Sequence, residues 1–216
     1  MKIIQIIKRL NNTELGIGNT HETYILIPSD LDFSDFLLDD EEGFLFKKNN
    51  ITYKLNYRLT KNGEERLKGL GPFYRENNLT AGDELLLEKH IYDDDKIDFF
   101  IDVNKRNNVL ILTKFKNIGF EILNEESLDI FQNKLNTMDI YYKGKRNSIS
   151  LNFLGSEKKR SDSPNKTNIY ELKIDGNNVI NDFKSKEMFE ININTKDNTI
   201  FVKNICSWEK YLFEKE

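Results

Sequence analysis

Cysteine is nearly missing from this 216-residue chain. The single thiol, Cys206, excludes an intramolecular disulfide framework and any multi-cysteine zinc site. Two histidines, His21 and His90, are too few for a His-rich metal centre. No apolar run approaches the roughly 18–20 residues of a membrane span. The opening MKIIQIIKRLNN breaks its short apolar stretch at Gln5 and does not read as a signal peptide. An intracellular, cytoplasmic protein without a membrane partner is the expectation. Phosphate-cradling loops are absent too: Gly16-Ile17-Gly18 lacks the third glycine and the following helix of a dinucleotide fingerprint. No serine has a credible histidine and acid partner for nucleophilic catalysis. No cofactor and no metal are expected.

What is present is a chain 38% hydrophobic and 31% charged, with fifteen Phe and nine Tyr. That supply of aromatic surface supports packed cores and excludes disorder as the overall state. At about 150 residues per domain, the length fits one large domain or two small ones. Net charge is −4, but the signs are segregated. Ser29 to Glu42 holds seven acids and no base; Gly43 to Leu70 holds seven bases and two acids; Gly71 to Val103 holds nine acids and three bases. A basic segment inside an acidic chain permits an anionic partner at one face, because the field at a site is set by its nearest charges. The same pattern also describes ordinary solvated faces.

Apolar residues recur in short runs bounded by turn signals, which indicates strands. The pattern predicts strands over 3–7, 23–27, 43–47, 51–59, 84–89, 98–103 and 109–115. Ser29 caps an expected short helix, DLDFSDFLL, and Pro72 opens a second, GPFYRENN, left through Asn77-Asn78. Glu64 to Leu70 shows no clear period. Beyond 116 the best helix candidate is Glu125 to Asn136, and strands are expected at 138–142, 148–154, 168–174, 187–194 and 198–204. A terminal helix is expected at 207–214, and GSEKKRSDSPNKTN (155–168) reads as a mobile surface loop carrying Lys158, Lys159 and Arg160. The fold class is therefore mainly β. A seven-stranded barrel or pseudobarrel with two short helices fills residues 1–115, and a β-rich accessory or connector lobe with one or two helices fills 116–216.

Chemical constellations are few. Cys206, beside Trp208, reads as a packing residue rather than a nucleophile. Glu171-Leu172-Lys173 is the second half of a P-D…E-x-K nuclease pattern, in which acids hold a divalent metal and the lysine steadies developing charge. The only nearby upstream acid, Asp162, falls in the polar loop, and the same alternation suits an exposed charge pair on a strand.

The first half carries a more specific pattern. THETYILIPSDL is followed about 40 residues later by YRLT, and then by LKGLGPFYRENNLTAGDELLL. An apolar strand ending in Ile27-Pro28, then Phe73 and Asn77-Asn78-Leu79-Thr80-Ala81-Gly82-Asp83 before a strand, resembles the DNA-binding pseudobarrel of plant B-three transcription factors. It also resembles the effector domain of the EcoRII restriction endonuclease, whose polar, glycine-containing first loop looks like NNTELGIGNTHE here. The likeness covers residues 5–103. It implies a grip on the DNA major groove through two arms, Lys8 to Glu22 and Asn56 to Arg66.

In those arms the side-chain chemistry suits double-stranded DNA. Asn11, Asn12, Asn19 and Asn56 match adenine edges, Arg58 and Arg66 match guanine, and Lys8, Arg9, Lys61 and Lys68 match phosphates. Thr13, Thr20, Tyr57, Thr60 and Asn62 complete the candidate surface. His21 borders a strand start, where a structural and a contact role both stay open. Glu14, Glu64 and Glu65 are not phosphate ligands; an acid there accepts from cytosine or orients an arginine. The resemblance implies the site-recognition module of a bacterial restriction system, similar to the recognition part of LlaJI-type, McrB-like subunits. Cleavage or an NTP-driven motor would then lie elsewhere, with further restriction subunits as partners. A small metal-dependent nuclease using Glu171 and Lys173, and an all-β protein-interaction module, are the alternatives.

Overall fold

A computed structural model describes residues 1–17, 23–29, 31–37, 43–106, 108–135, 137–159, 161, 166–184 and 187–214. Asn19, Thr20, His21 and Asp162 lie outside them. The protein is mainly β. Its strands are β1 (Lys2–Arg9), β2 (Tyr24–Ile27), β3 (Phe44–Lys48), β4 (Ile51–Leu59), β5 (Glu65–Lys68), β6 (Glu84–Ile91), β7 (Ile97–Asn104), β8 (Val109–Phe115), β9 (Gly119–Ile122), β10 (Asp139–Tyr142), β11 (Lys145–Asn147), β12 (Ile149–Lys158), β13 (Lys166–Ile174), β14 (Asn177–Asn178), β15 (Glu187–Asn194), β16 (Thr199–Cys206) and β17 (Trp208–Glu214). The described residues also form two helices, α1 (Gly71–Glu76) and α2 (Leu128–Leu135), and two 3₁₀ turns. No helix among the described residues is long and apolar enough to cross a membrane.

The chain divides into two compact units. The first is Met1–Lys105 joined by the C-terminal segment from Trp208, and the second is Arg106–Ser207. Unit 1 is one sheet in the order β17-β1-β6-β7-β3-β4-β5-β2, antiparallel except for β3 against β7. Its inward faces follow the two-residue period: Ile4 and Ile6 on β1, Leu85 and Leu87 on β6, Phe46 on β3, and Leu55 on β4 are all buried. Pro72 sits in the first turn of α1, and Asn78 leaves that helix region at φ 47°, as the turn chemistry required. Phe73 of α1 meets Tyr53 edge-on at 5.1 Å, and the Tyr53 hydroxyl donates to Glu76 at 2.5 Å.

Three expectations about unit 1 are corrected. The terminal segment 207–214 is the strand β17, not a helix, and lies antiparallel to β1 from Lys2↔Glu214 to Lys8↔Trp208. WEKYLFE is rich in aromatics that favour a pleated surface, and β1 offers an edge to complete. The described part of DLDFSDFLL forms turns rather than a helix. The Ser34 N–H and Oγ both donate to Asp32, a local alternative to helical bonding, while Phe33, Phe36 and Leu37 are buried. The strand Val109–Phe115 belongs to the other unit, where it pairs with β15 and β9. Among the described residues unit 1 has eight strands, with β5 and β17 beyond the expected set and without β8.

Unit 2 is a second sheet, β11-β10-β16-β15-β8-β9-β13-β12, with β14 on β13. Leu110, Leu112, Phe120, Phe189, Ile191 and Ile200 form its core, onto which α2 places Phe131. The polar stretch 155–168 is in large part hairpin, since β12 runs to Lys158 and β13 starts at Lys166. Cys206 is exposed on β16 rather than buried, because the strand alternation puts Ile205, not Cys206, inward.

Candidate nucleic-acid interface

β4 and β5 form a hairpin, and β2 adds to the outer side of β5. One face of this three-stranded patch carries Tyr57, Leu67 and Ile25 in register; Leu67 and Ile25 are fully buried. The opposite face therefore carries the row Asn56–Lys68–Tyr24 and the row Arg58–Arg66–Leu26. Lys54, two residues before Asn56, extends the same face and was not singled out in the sequence. The 60–64 turn closes tightly. Thr60 N–H donates to Glu64 O at 2.8 Å, Glu64 N–H to Thr60 Oγ1 at 3.0 Å, and Gly63 takes φ +78°. Lys61 and Asn62 are left exposed at its tip, and Thr60 is engaged in the turn itself.

Gly69 ends the hairpin at φ +98°, and a Cβ there would stand 2.5 Å from the Lys54 carbonyl oxygen. Only glycine combines that backbone with so close an approach.

Arg58 and Arg66 are direct cross-strand partners. Arg66 is steadied on two sides: Glu64 accepts from its guanidinium at 2.6 Å, and Tyr24 lies under it at 4.2 Å. Glu64 is thus the acid that orients an arginine. Among the described residues, no ion pair engages Lys54, Arg58 or Lys61. The rest of the basic segment is answered locally: Lys47 pairs with Asp98 at 2.7 Å and Lys48 with Asp102 at 3.0 Å. Hydrogen bonds from Lys47 and then from Lys96 hold the Asp98 carboxyl below the usual carboxylate range against the opposing effect of burial, and the two charges add to them. Uncompensated positive charge therefore concentrates on the hairpin.

The first arm is built differently from expectation. Lys8 and Arg9 are both buried. Lys8 follows Ile4 and Ile6 on the inward face of β1, so the strand period carries its ammonium into the interior. There it meets Glu14 at 3.0 Å and donates to the Arg9 carbonyl at 2.8 Å. Burial pushes the Lys8 ammonium pKa down and the Glu14 carboxyl pKa up, each opposed by the partner's charge. Arg9 pairs with Glu84 at 3.0 Å and Glu209 at 2.9 Å. Both cations are thus held by carboxylates in the interior rather than presented on the exposed side of the arm.

Asn11 orders the arm: its Oδ1 accepts from Glu14 N–H at 3.0 Å, and its own N–H donates to Glu14 Oε2 at 3.1 Å. Tyr24 N–H donates to the Glu14 carbonyl at 3.3 Å, and the Glu14 carboxylate also accepts a backbone bond from Leu26. The arm is thereby fastened to β2, the strand flanking β5. Asn12 and Thr13 are exposed on it.

Glu171 and Lys173 pair with each other at 2.9 Å on β13, with the Asn178 amide donating to Glu171 at 3.1 Å. Among the described residues no cluster of three or more His, Cys, Asp or Glu suits a metal ion.

No protein-family model matches the chain, and no curated protein matches it. Four chains of solved structures do. One of them, to which the chain is similar, is described as an Arabidopsis FUS3–DNA complex. Identity is 19% and the TM-score 0.34, over 46% of this chain and 94% of that one.

Proposed function

We propose that unit 1 binds double-stranded DNA sequence-specifically, through the outward face of the β4–β5 hairpin and the adjoining arm at Asn12 and Thr13. The observation that carries this reading is the Arg58–Arg66 pair. Like charges directly opposite on a sheet oppose folding, so two guanidiniums aligned on an exposed face gain most from an anionic ligand. Arginine offers two parallel donors to guanine O6 and N7, and Asn56 in the next row suits adenine N6 and N7. Lys54, Lys61 and Lys68 flank them for phosphates, which fix register without reading sequence.

The setting we propose is site recognition for a bacterial restriction system, following the order of motifs from Ile27-Pro28 to Gly82-Asp83. The test is selection from randomised duplex DNA by the intact chain, repeated with Arg58→Ala. One enriched motif that weakens or degenerates in the variant supports the reading. No retention of any duplex at low salt overturns it.

A further inference from the structure

Unit 2 carries a second polar face that the reading above does not use. On β15 and β16, Asn192 stands opposite Phe201 and Glu190 opposite Lys203. β10 adds Tyr141 beside Phe201, so one row across the sheet reads Asn192–Phe201–Tyr141. Phe201 is 47% exposed, and its ring lies nearly parallel to Tyr141 at 6.0 Å with 27° between planes. Next to this aromatic platform is a cleft of about 450 Å³. Glu190, Asn192, Asn194, Lys196, Phe201 and Lys203 line it. That volume lies in the range of small-molecule sites.

Glu190 organises the cleft. It is fully buried, yet it points to the polar face rather than the core, which takes Phe189 and Ile191. Its carboxylate accepts from Arg106 at 2.7 Å, meets Lys203 at 3.4 Å and receives the Asn192 amide at 3.5 Å. Burying a charge is costly unless partners satisfy it, so this group fixes the cations and the amide around it. The Asn192 carbonyl oxygen has no bond, and Lys196 no ion pair, among the described residues. Side by side, the cleft thus offers an apolar ring face, an amide with a vacant acceptor, and two ammonium groups.

We infer that this cleft binds a nucleotide unit, with the base stacked on Phe201, its edge against Asn192 and its phosphate between Lys196 and Lys203. Base stacking on aromatics is sequence-tolerant and strong, and lysines supply the salt-dependent part. The unit can come from single-stranded nucleic acid or from a free nucleotide. The inference does not depend on duplex binding by unit 1.

The experiment is fluorescence anisotropy of the full chain with a short labelled oligothymidylate, and competition by thymidine monophosphate. The variants are Phe201→Ala, Phe201→Trp, Lys196→Glu and the double change Arg58→Ala/Lys61→Ala. Single-strand binding is expected to fall on the order of tenfold to a hundredfold in Phe201→Ala and to survive in Phe201→Trp. It should also fall in Lys196→Glu, an exposed turn residue that can change without loss of fold. Persistence in the hairpin double variant assigns the binding to unit 2. Competition by the mononucleotide at comparable concentration identifies a free nucleotide as the source, and a requirement for the strand identifies nucleic acid; both support the site. Absence of binding by both probes overturns it. So does equal binding by folded Phe201→Ala and Lys196→Glu, or loss of all binding in the hairpin double variant.

Discussion

Arg58 and Arg66 face each other across the β4–β5 ladder, and only Arg66 has an acid, Glu64, at hand. The pair opposes folding in the free protein and favours an anion in the bound one. Arg58→Thr should therefore raise stability, by about 0.2–1 kcal/mol, while weakening binding to a selected duplex by about 1–3 kcal/mol. Urea unfolding and a binding titration on the same protein read the two effects. A variant both less stable and unchanged in binding would assign the arginines to packing alone.

Lys61 sits at the exposed tip of the hairpin, where it meets a phosphate rather than a base edge. Lys61→Ala should weaken selected and scrambled duplexes alike. It should also reduce the slope of log affinity against log salt by about one unit. Salt titrations of both duplexes decide this. A loss confined to the selected site would make Lys61 a reader instead.

Much of the strand pattern was legible from alternation alone. Ile51 to Leu59 and Val109 to Phe115 are strands over the residues expected, and Pro72 and Asn78 bound α1 as their turn chemistry dictates. What stayed hidden depended on partners distant in sequence. Glu65–Lys68 has one buried residue in four and becomes a strand because β2 and β4 pair with it on both sides. WEKYLFE fits either period, and the waiting edge of β1 decided. Lys8 is the instructive case. Its charge suggested a phosphate contact, whereas its place two residues after Ile6 already put it on the inward face, with Glu14 six residues on as the counter-charge. Tyr24 under Arg66 had no local signal, since β2 and β5 are some 40 residues apart in the chain.

The buried Lys8–Glu14 pair fastens the first arm, and removing one member leaves the other uncompensated. Lys8→Met should cost about 3–5 kcal/mol at neutral pH, and Lys8→Met/Glu14→Gln should recover most of it, because the amide oxygen still accepts from Asn11 and Leu26. Burial already raises the Glu14 carboxyl in the folded state. A raised carboxyl contributes fully below its unfolded value, about 4.3, and the benefit is lost as pH rises through the folded value. The deficit of Lys8→Met should therefore shrink as pH falls toward that range. A deficit independent of pH would mean that Glu14 does not carry the charge.

Tyr53 ties β4 to α1 through Glu76, and its phenol is pushed up to about 12, by burial first and by the Glu76 bond second. A raised acid group stabilises the fold below its unfolded pKa of about 10 and ceases to do so as pH climbs through the folded value. Wild-type protein should lose stability between those two values, and Tyr53→Phe should lose less over the same window. Alkaline denaturation curves of the two proteins check this, and the difference in phenolate absorbance between them isolates Tyr53 from Tyr74, Tyr170 and Tyr211, whose phenols are raised as well.

The last strand makes unit 1 discontinuous in sequence, with a consequence for truncation. β17 covers the edge of β1 along seven register pairs. Trp208 packs on the unit 1 core, edge-on to Phe33 at 6.2 Å and beneath the Lys8 ammonium at 5.3 Å. Glu209 neutralises Arg9, and Lys210 pairs with Asp35 at 2.6 Å. A chain stopped at residue 116 lacks all of these, and it leaves Arg9 with one partner fewer while opening a long apolar edge to other chains. We expect that fragment to be soluble only in part and to lose cooperative unfolding. Adding a synthetic peptide of residues 208–214 in excess should restore some of both, because a segment that binds only the folded form stabilises it by mass action. Circular dichroism melts with and without the peptide measure the effect. A fragment that melts cooperatively at the full-length temperature, indifferent to the peptide, would show that β17 is an accessory to the sheet and not part of its core.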